Sequence, residues 1–192
     1  MELSLTDALI VVDIQNDFCE GGAVPVEGAA TLAKSLTALS RRIQSAGVRV
    51  IATQDWHADD HISFVGNGGK WPRHCVQGTN GAKFHADLNM PVGSTVVRKG
   101  ASPKVDALSA FTGSALEETL RRYSVDRLFI CGVPTELTVL ETALDARSLG
   151  FETCVIEDGI AALTRDSAEI AGAIEKMKTA EIVLVNSSEL VA

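Results

Sequence analysis

An aspartate and a histidine two residues apart, Asp55 and His57, close the stretch I-A-T-Q-D-W-H at the end of a run that reads as a β-strand, Val48–Thr53. In extended chain, residues i and i+2 point the same way, so a carboxylate and an imidazole face one spot. His74 arrives in a loop after Trp71-Pro72-Arg73, and His61 lies between. One histidine alone would read as a loop hydrogen bonder. Asp55, His57, His74 and His61 together read as donors for a divalent cation held with open coordination positions. Two more polar residues fall at strand ends, Asp13 after A-L-I-V-V and Lys99 after S-T-V-V-R, and the Pro134–Thr138 turn follows another strand. In open α/β sheets, ligands bind at that carboxyl-end rim.

The elements that must place these residues alternate in type. Predicted strands are Ala8–Asp13, Val48–Thr53, Ser94–Arg98, Arg127–Val133, Glu152–Glu157 and Ala180–Val185. Predicted helices are Gly28–Ala46, Ser114–Arg122, Thr135–Leu149 and Asp166–Lys178, the last opened by an acidic cap. Continuous apolar strands between helices imply right-handed crossovers and a parallel sheet covered on both faces. The reading is a three-layer αβα domain, residues 1–192, with a central, mostly parallel six-stranded sheet. The long stretch from Gln54 to about Gly93 has weak periodicity, and a loop that long is usually functional. No G-x-G-x-x-G follows a strand, so a dinucleotide site is not supported.

Composition narrows the partners. A formal net charge of −8 argues against nucleic acid and anionic membrane surfaces. No apolar run approaches the ~20 residues of a membrane helix, and the first apolar run reads as a strand rather than a signal segment, which places the protein in the cytoplasm. Cys19, Cys75, Cys131 and Cys154 are scattered without C-x-x-C spacing, so buried free thiols are expected rather than disulfides.

Longer motifs carry a resemblance. A-L-I-V-V-D-I-Q-N-D-F-C-E-G-G from Ala8, T-Q-D-W-H from Thr53, D-H-I-S-F from Asp60, W-P-R-H-C-V-Q-G-T from Trp71, R-K-G from Arg98 and T-A-L-D-A from Thr142 are similar to the nicotinamidases of the isochorismatase-like (cysteine hydrolase) family. The resemblance runs over nearly the whole chain. It implies the same three-layer fold and a metal (zinc, iron or manganese) on Asp55, His57 and His74, with His61 as a further ligand. It implies a metal-bound pyridine ring between Phe18 and Trp71. Asp13 and Lys99 match two members of the family's catalytic triad. The implied reaction is hydrolysis of nicotinamide to nicotinate and ammonia through a thioester. Family members are often dimers or larger, so a homo-oligomer is allowed, though no interface signal stands in the sequence.

The chain departs from the family at the third triad member. The family pattern, roughly G-[VI]-A-T-D-[YH]-C-V, is here G-V-P-T-E-L-T-V from Gly132, which puts Thr138 at the nucleophile position. A thiol (~8.5) and an Asp (~3.9) differ by roughly 6 kcal/mol in proton affinity. An alcohol lies nearer water's ~15.7, a gap on the order of 16 kcal/mol. The family's oxyanion hole also uses a backbone N–H at the position of Pro134, and proline has none. The family keeps a cis peptide near this point, so Val133–Pro134 is expected to be cis. Three readings follow: a nicotinamidase-type amidohydrolase with weak or lost turnover, a cysteine-independent hydrolase that uses Asp13 as acid or base, or a non-catalytic pyridine binder.

Overall fold

The computed structural model describes residues 1–191. Six strands form one sheet in the order β3-β2-β1-β4-β5-β6. They are β1 (Asp7–Val12), β2 (Arg49–Asp55), β3 (Thr95–Lys99), β4 (Arg127–Gly132), β5 (Glu152–Ile160) and β6 (Val183–Val185). Every pairing is parallel. Helices α1 (Ala29–Ser45), α2 (Leu116–Arg122), α3 (Leu140–Ser148) and α4 (Ser167–Thr179) complete the layers. The expected three-layer architecture is observed, and all its strands run the same way.

The sheet is apolar on both sides because both sides are covered. Leu9 and Val11 of β1 join Leu32, Leu36, Leu39 and Ile43 of α1 in one core. Ala8, Ile10 and Val12 turn the other way and join Leu116 and Leu120 of α2, Ala143 of α3 and Met177 of α4 in a second. No helix among the described residues is long and apolar enough to cross a membrane.

The chain builds outward from β1 to β2 and β3, then returns to place β4 on the other side of β1. This reversal opens a crevice at the carboxyl ends, the position where such sheets hold ligands. Gly132, the last residue of β4, sits opposite Val12. Its φ is +119°, and a Cβ there would lie 2.1 Å from the Val12 carbonyl oxygen. Only glycine lets the two strands end side by side.

Several boundaries differ from the sequence reading, among them β6, which begins at Val183 rather than Ala180, and three of the differences stand out. β2 runs on through Asp55, which pairs in register with Lys99. The helix expected over Thr135–Leu149 opens with a π-helical turn, Thr135–Val139, in which Val139 N–H donates to the Pro134 carbonyl at 3.0 Å. The wider turn adds a residue that apolar spacing does not register, and such turns recur at functional sites. β5 extends to Ile160 through a register shift between Ile130 and Gly132. Val133–Pro134 is cis, as expected.

Candidate active site and metal centre

Asp13, Asp55 and Lys99 meet below the crevice floor. Lys99 is 1% exposed and Asp13 0%. Lys99 Nζ lies 3.0 Å from Asp13 Oδ2 and 2.5 Å from Asp55 Oδ1, and it donates to the Ala107 carbonyl at 3.2 Å. The ammonium therefore hydrogen-bonds to Asp55 and Ala107 and pairs by charge with Asp13. Burial alone would favour a neutral amine, but the two carboxylates outweigh it and hold Lys99 charged. Burial pushes the Asp13 carboxyl up to about 6, with Lys99 opposing and Asp55 adding to the rise. Asp55 goes the other way: burial opposes ionisation, but Lys99 and His57 hold it below the usual carboxylate range. Two carboxylates around one ammonium thus take different characters, one basic and one firmly ionised. Asp13 Oδ1 accepts from Thr53 Oγ1 at 2.6 Å, while Oδ2 has no hydrogen bond, only the ammonium contact.

Asp55, His57 and His74 form a second group directly above. One ligand atom from each lies within 4.8 Å of the others, and all three residues are buried. His57 Nδ1 donates to the Gly100 carbonyl at 3.1 Å, and His74 Nδ1 donates to the Pro72 carbonyl at 2.8 Å. With Nδ1 tied, each ring keeps Nε2 as its lone-pair face; the His57 Nε2 is 3.5 Å from Asp55 Oδ2. Carbonyl-anchored imidazoles are the usual outer-shell support of metal ligands. Gly100 makes the first anchor possible. Its φ is +66°, and a Cβ would lie 2.6 Å from His57 Cε1.

His61 does not join this group. Its ring sits 4.0 Å from that of His57, but Nε2 faces the Val105 carbonyl at 3.0 Å and Nδ1 faces Ser63 Oγ at 2.7 Å. Nε2 must donate to a carbonyl, so Nδ1 accepts from Ser63. The structure brings together three of the four candidate ligands, and His61 stands beside His57 with both ring nitrogens in hydrogen bonds.

The long Gln54–Gly93 segment is pinned by polar residues that the chemistry-led reading passed over. Gln15 donates to the carbonyls of Asp55 and Ala82 at 2.8 and 2.9 Å and accepts from Asp55 N–H at 2.8 Å. Asp17 accepts from Cys75 N–H at 2.7 Å, fixing the residue next to His74. His57 N–H donates to the Cys75 carbonyl, and Gln77 N–H donates to the His57 carbonyl, at 3.0 and 2.9 Å. This short bridge seats His74 beside His57. The only early sign of Gln15, Asp17 and Gly100 was their presence inside the quoted motifs.

A cleft of about 420 Å³, counted out to its mouth, joins the two groups. Its walls include Phe18, Trp71, Pro134, Leu137, Thr138 and Leu163, and its floor includes Asp55, His57, His74 and Lys99. Thr138 is the side chain that the π-turn delivers at the position under scrutiny. Glu136, two residues earlier, is engaged elsewhere: its carboxylate accepts from Leu163 N–H at 3.3 Å and Thr164 N–H at 2.6 Å, which holds Leu163 in the wall. All four cysteines are buried and free. Cys19 and Cys75 are absent from the cleft lining, and burial pushes the Cys19 thiol up to about 11 and Cys75 further still. No other thiol stands in for the missing one.

A parallel sheet whose switch point carries a buried Asp–Lys pair beside an Asp–His–His group has the frame of an amide-bond hydrolase. The chain belongs to the isochorismatase family, whose isochorismatase domain matches residues 7–188. A nicotinamidase/pyrazinamidase of Mycobacterium tuberculosis is 40% identical over 191 residues, covering 94% of this chain and 99% of the relative. The zinc complex of a pyrazinamidase from Pyrococcus horikoshii superposes with a TM-score of 0.90 at 40% identity, covering 94% of this chain and 99% of that one. PnC1 of L. infantum, solved with nicotinate, gives a TM-score of 0.93 at 39% identity, covering 100% and 98%.

Proposed function

We propose that this protein is a nicotinamidase-type amidohydrolase that holds pyridine-3-carboxamide in the cleft and turns it over slowly. The observation that carries the proposal is that the Asp55–His57–His74 group and Thr138 line one cleft. The donor set fits a divalent cation: two imidazoles with their Nδ1 atoms tied to carbonyls and one ionised carboxylate, leaving coordination open. Zinc is the first candidate, given the zinc complex of the similar pyrazinamidase. When bound, the cation supplies a Lewis-acid anchor for the ring nitrogen of the ligand.

The chain's own residues do the rest. Phe18 and Trp71 provide aromatic walls for a flat ring. Asp13, raised in basicity by burial, is the proton acceptor, and its Oδ2 is the atom without a hydrogen bond. Lys99 keeps the neighbouring carboxylates charged and in place. The weak link is the nucleophile. Lys99 is held protonated by two carboxylates, so it does not serve Thr138 as the amine base that threonine enzymes use. Pro134 removes a second contribution, since losing one oxyanion donor costs about 2.7–4 kcal/mol in the transition state. The same two residues favour the second reading, a pyridine-carboxamide binder without turnover. The Asp13-acid reading toward a metal-free substrate has less support, because it leaves the metal group without a role.

The test is ammonia release from nicotinamide by zinc-loaded protein. We expect kcat below about 0.1 s⁻¹, against a typical enzyme's ~10 s⁻¹. Fast turnover abolished by Asp13→Ala would show that Thr138 or a metal-bound water replaces the thiol and would overturn the slow-turnover part of the proposal. A companion prediction concerns the metal. Gly100→Ala should weaken zinc binding by about 10–100-fold, because the added methyl displaces the His57 ring from its carbonyl anchor. Competition with a chromophoric chelator reads this directly. Unchanged affinity would mean that His57 does not ligate through Nε2.

A further inference from the structure

The cleft does not end at its mouth. A second, more open surface cavity of about 880 Å³, counted out into solvent, adjoins it, and the two share Ser63, Trp71, Asp106, Leu108 and Leu137 as lining. A lone carboxamide ring with an unsubstituted nitrogen leaves this outer space without a role. Leu137 is the residue before Thr138 in the π-turn, so the outer cavity opens beside the point where a carbonyl carbon would face Thr138.

Charge is graded along the path. Asp106 lines both cavities and stands at the junction. Lys70 and Lys104 line only the outer one. Among the described residues, neither lysine has a carboxylate oxygen within 4.0 Å. The outer walls between them are apolar, with Trp71, Leu108, Leu137 and Ile62, and Ile62 is 46% exposed. Asp106 therefore shares the junction with Trp71, Leu108 and Leu137, and the two lysines lie on the outer side alone.

We propose that the outer cavity is a subsite for a substituent on the carboxamide nitrogen, and that its preferred ligands are N-acyl amino acids with a heteroaromatic acyl group. The secondary amide N–H donates to Asp106, and the terminal carboxylate pairs with Lys70 and Lys104. This rests on the proposed placement of a pyridine-carboxamide in the inner cleft. Exposed charge pairs are individually weak, so the gain is modest: about three- to tenfold tighter binding from the two lysines together.

Isothermal titration of zinc-loaded protein with three ligands tests this: nicotinamide, N-ethylpyridine-3-carboxamide and N-(pyridine-3-carbonyl)glycine. The quantity read is the ratio of affinities, glycine conjugate to N-ethyl amide. We expect a ratio of about three to ten that falls to about one in Lys70→Glu/Lys104→Glu. Lys178→Glu, the same charge change on exposed α4 surface, should leave the ratio in place. A ratio near one in the unmodified protein, or one that survives the double substitution, overturns the subsite. Nicotinamide binding without conjugate binding overturns the subsite alone and leaves the inner-cleft proposal standing. Binding of none of the three overturns both.

Discussion

Thr138→Cys raises nicotinamide turnover by at least about 100-fold. In the proposed mechanism Asp13 is the base: it is buried, raised in basicity and has one oxygen without a hydrogen bond. What is missing is a group it can deprotonate. An alcohol near ~15.7 and a thiol near ~8.5 differ by about seven units, or roughly 10 kcal/mol of proton transfer. Only part of that is expressed in a transition state, so two orders of magnitude is a conservative floor. Thr138 is buried in the cleft wall, and exchanging it for cysteine removes a methyl group without adding volume. The gain stays below that of an intact oxyanion hole, because Pro134 still lacks its N–H. Thr138→Ser is the control: it removes the methyl and keeps the alcohol, so it should gain nothing. Equal rates for the cysteine and serine variants would mean that the nucleophile is not what limits this site.

The parts of the molecule legible in the sequence are those set by local pattern. Ala8–Val12 is apolar at every position because β1 is central and covered on both sides, and that run alone argued for a parallel sheet. Asp55 and His57 were legible because two-residue spacing has one meaning in extended chain. The residues that hold them were not. Gln15 reaches Asp55 and Thr53 reaches Asp13 across 40 residues of sequence, and Asp17 reaches Cys75 across 58. Nothing in the local pattern distinguishes such a polar residue from one facing water. His61 is a related case. Its type and position suit a ligand, and the sequence does not show that both its nitrogens face partners, Ser63 and Val105. The π-turn is a shift of one hydrogen-bond step, which leaves the apolar spacing of α3 intact and therefore leaves no trace in it.

Lys99→Met should cost about 3–5 kcal/mol of stability, measured by urea unfolding with chelator present. A buried ion pair broken from one side loses more than the pair is worth, because the remaining charge stays desolvated. Here two charges remain. Asp13 and Asp55 both lie on Lys99 Nζ, and without it each raises the other's proton affinity. Methionine matches the length of the lysine stem, so the loss reports charge rather than a cavity. In the variant both carboxyls have folded-state pKa values above their unfolded ones. Such groups contribute least harm below the unfolded pKa and most once pH passes the folded one. The deficit should therefore grow from pH 5 to pH 8. Adding Asp13→Asn to Lys99→Met removes one of the two stranded charges and should return a large part of the loss. A loss under about 1 kcal/mol, the scale of an exposed pair, would place Lys99 outside the electrostatic keystone role assigned to it. The same lysine that holds the site together is then the reason Thr138 has no amine base: an ammonium fixed between two carboxylates stabilises the frame and is withdrawn from proton transfer.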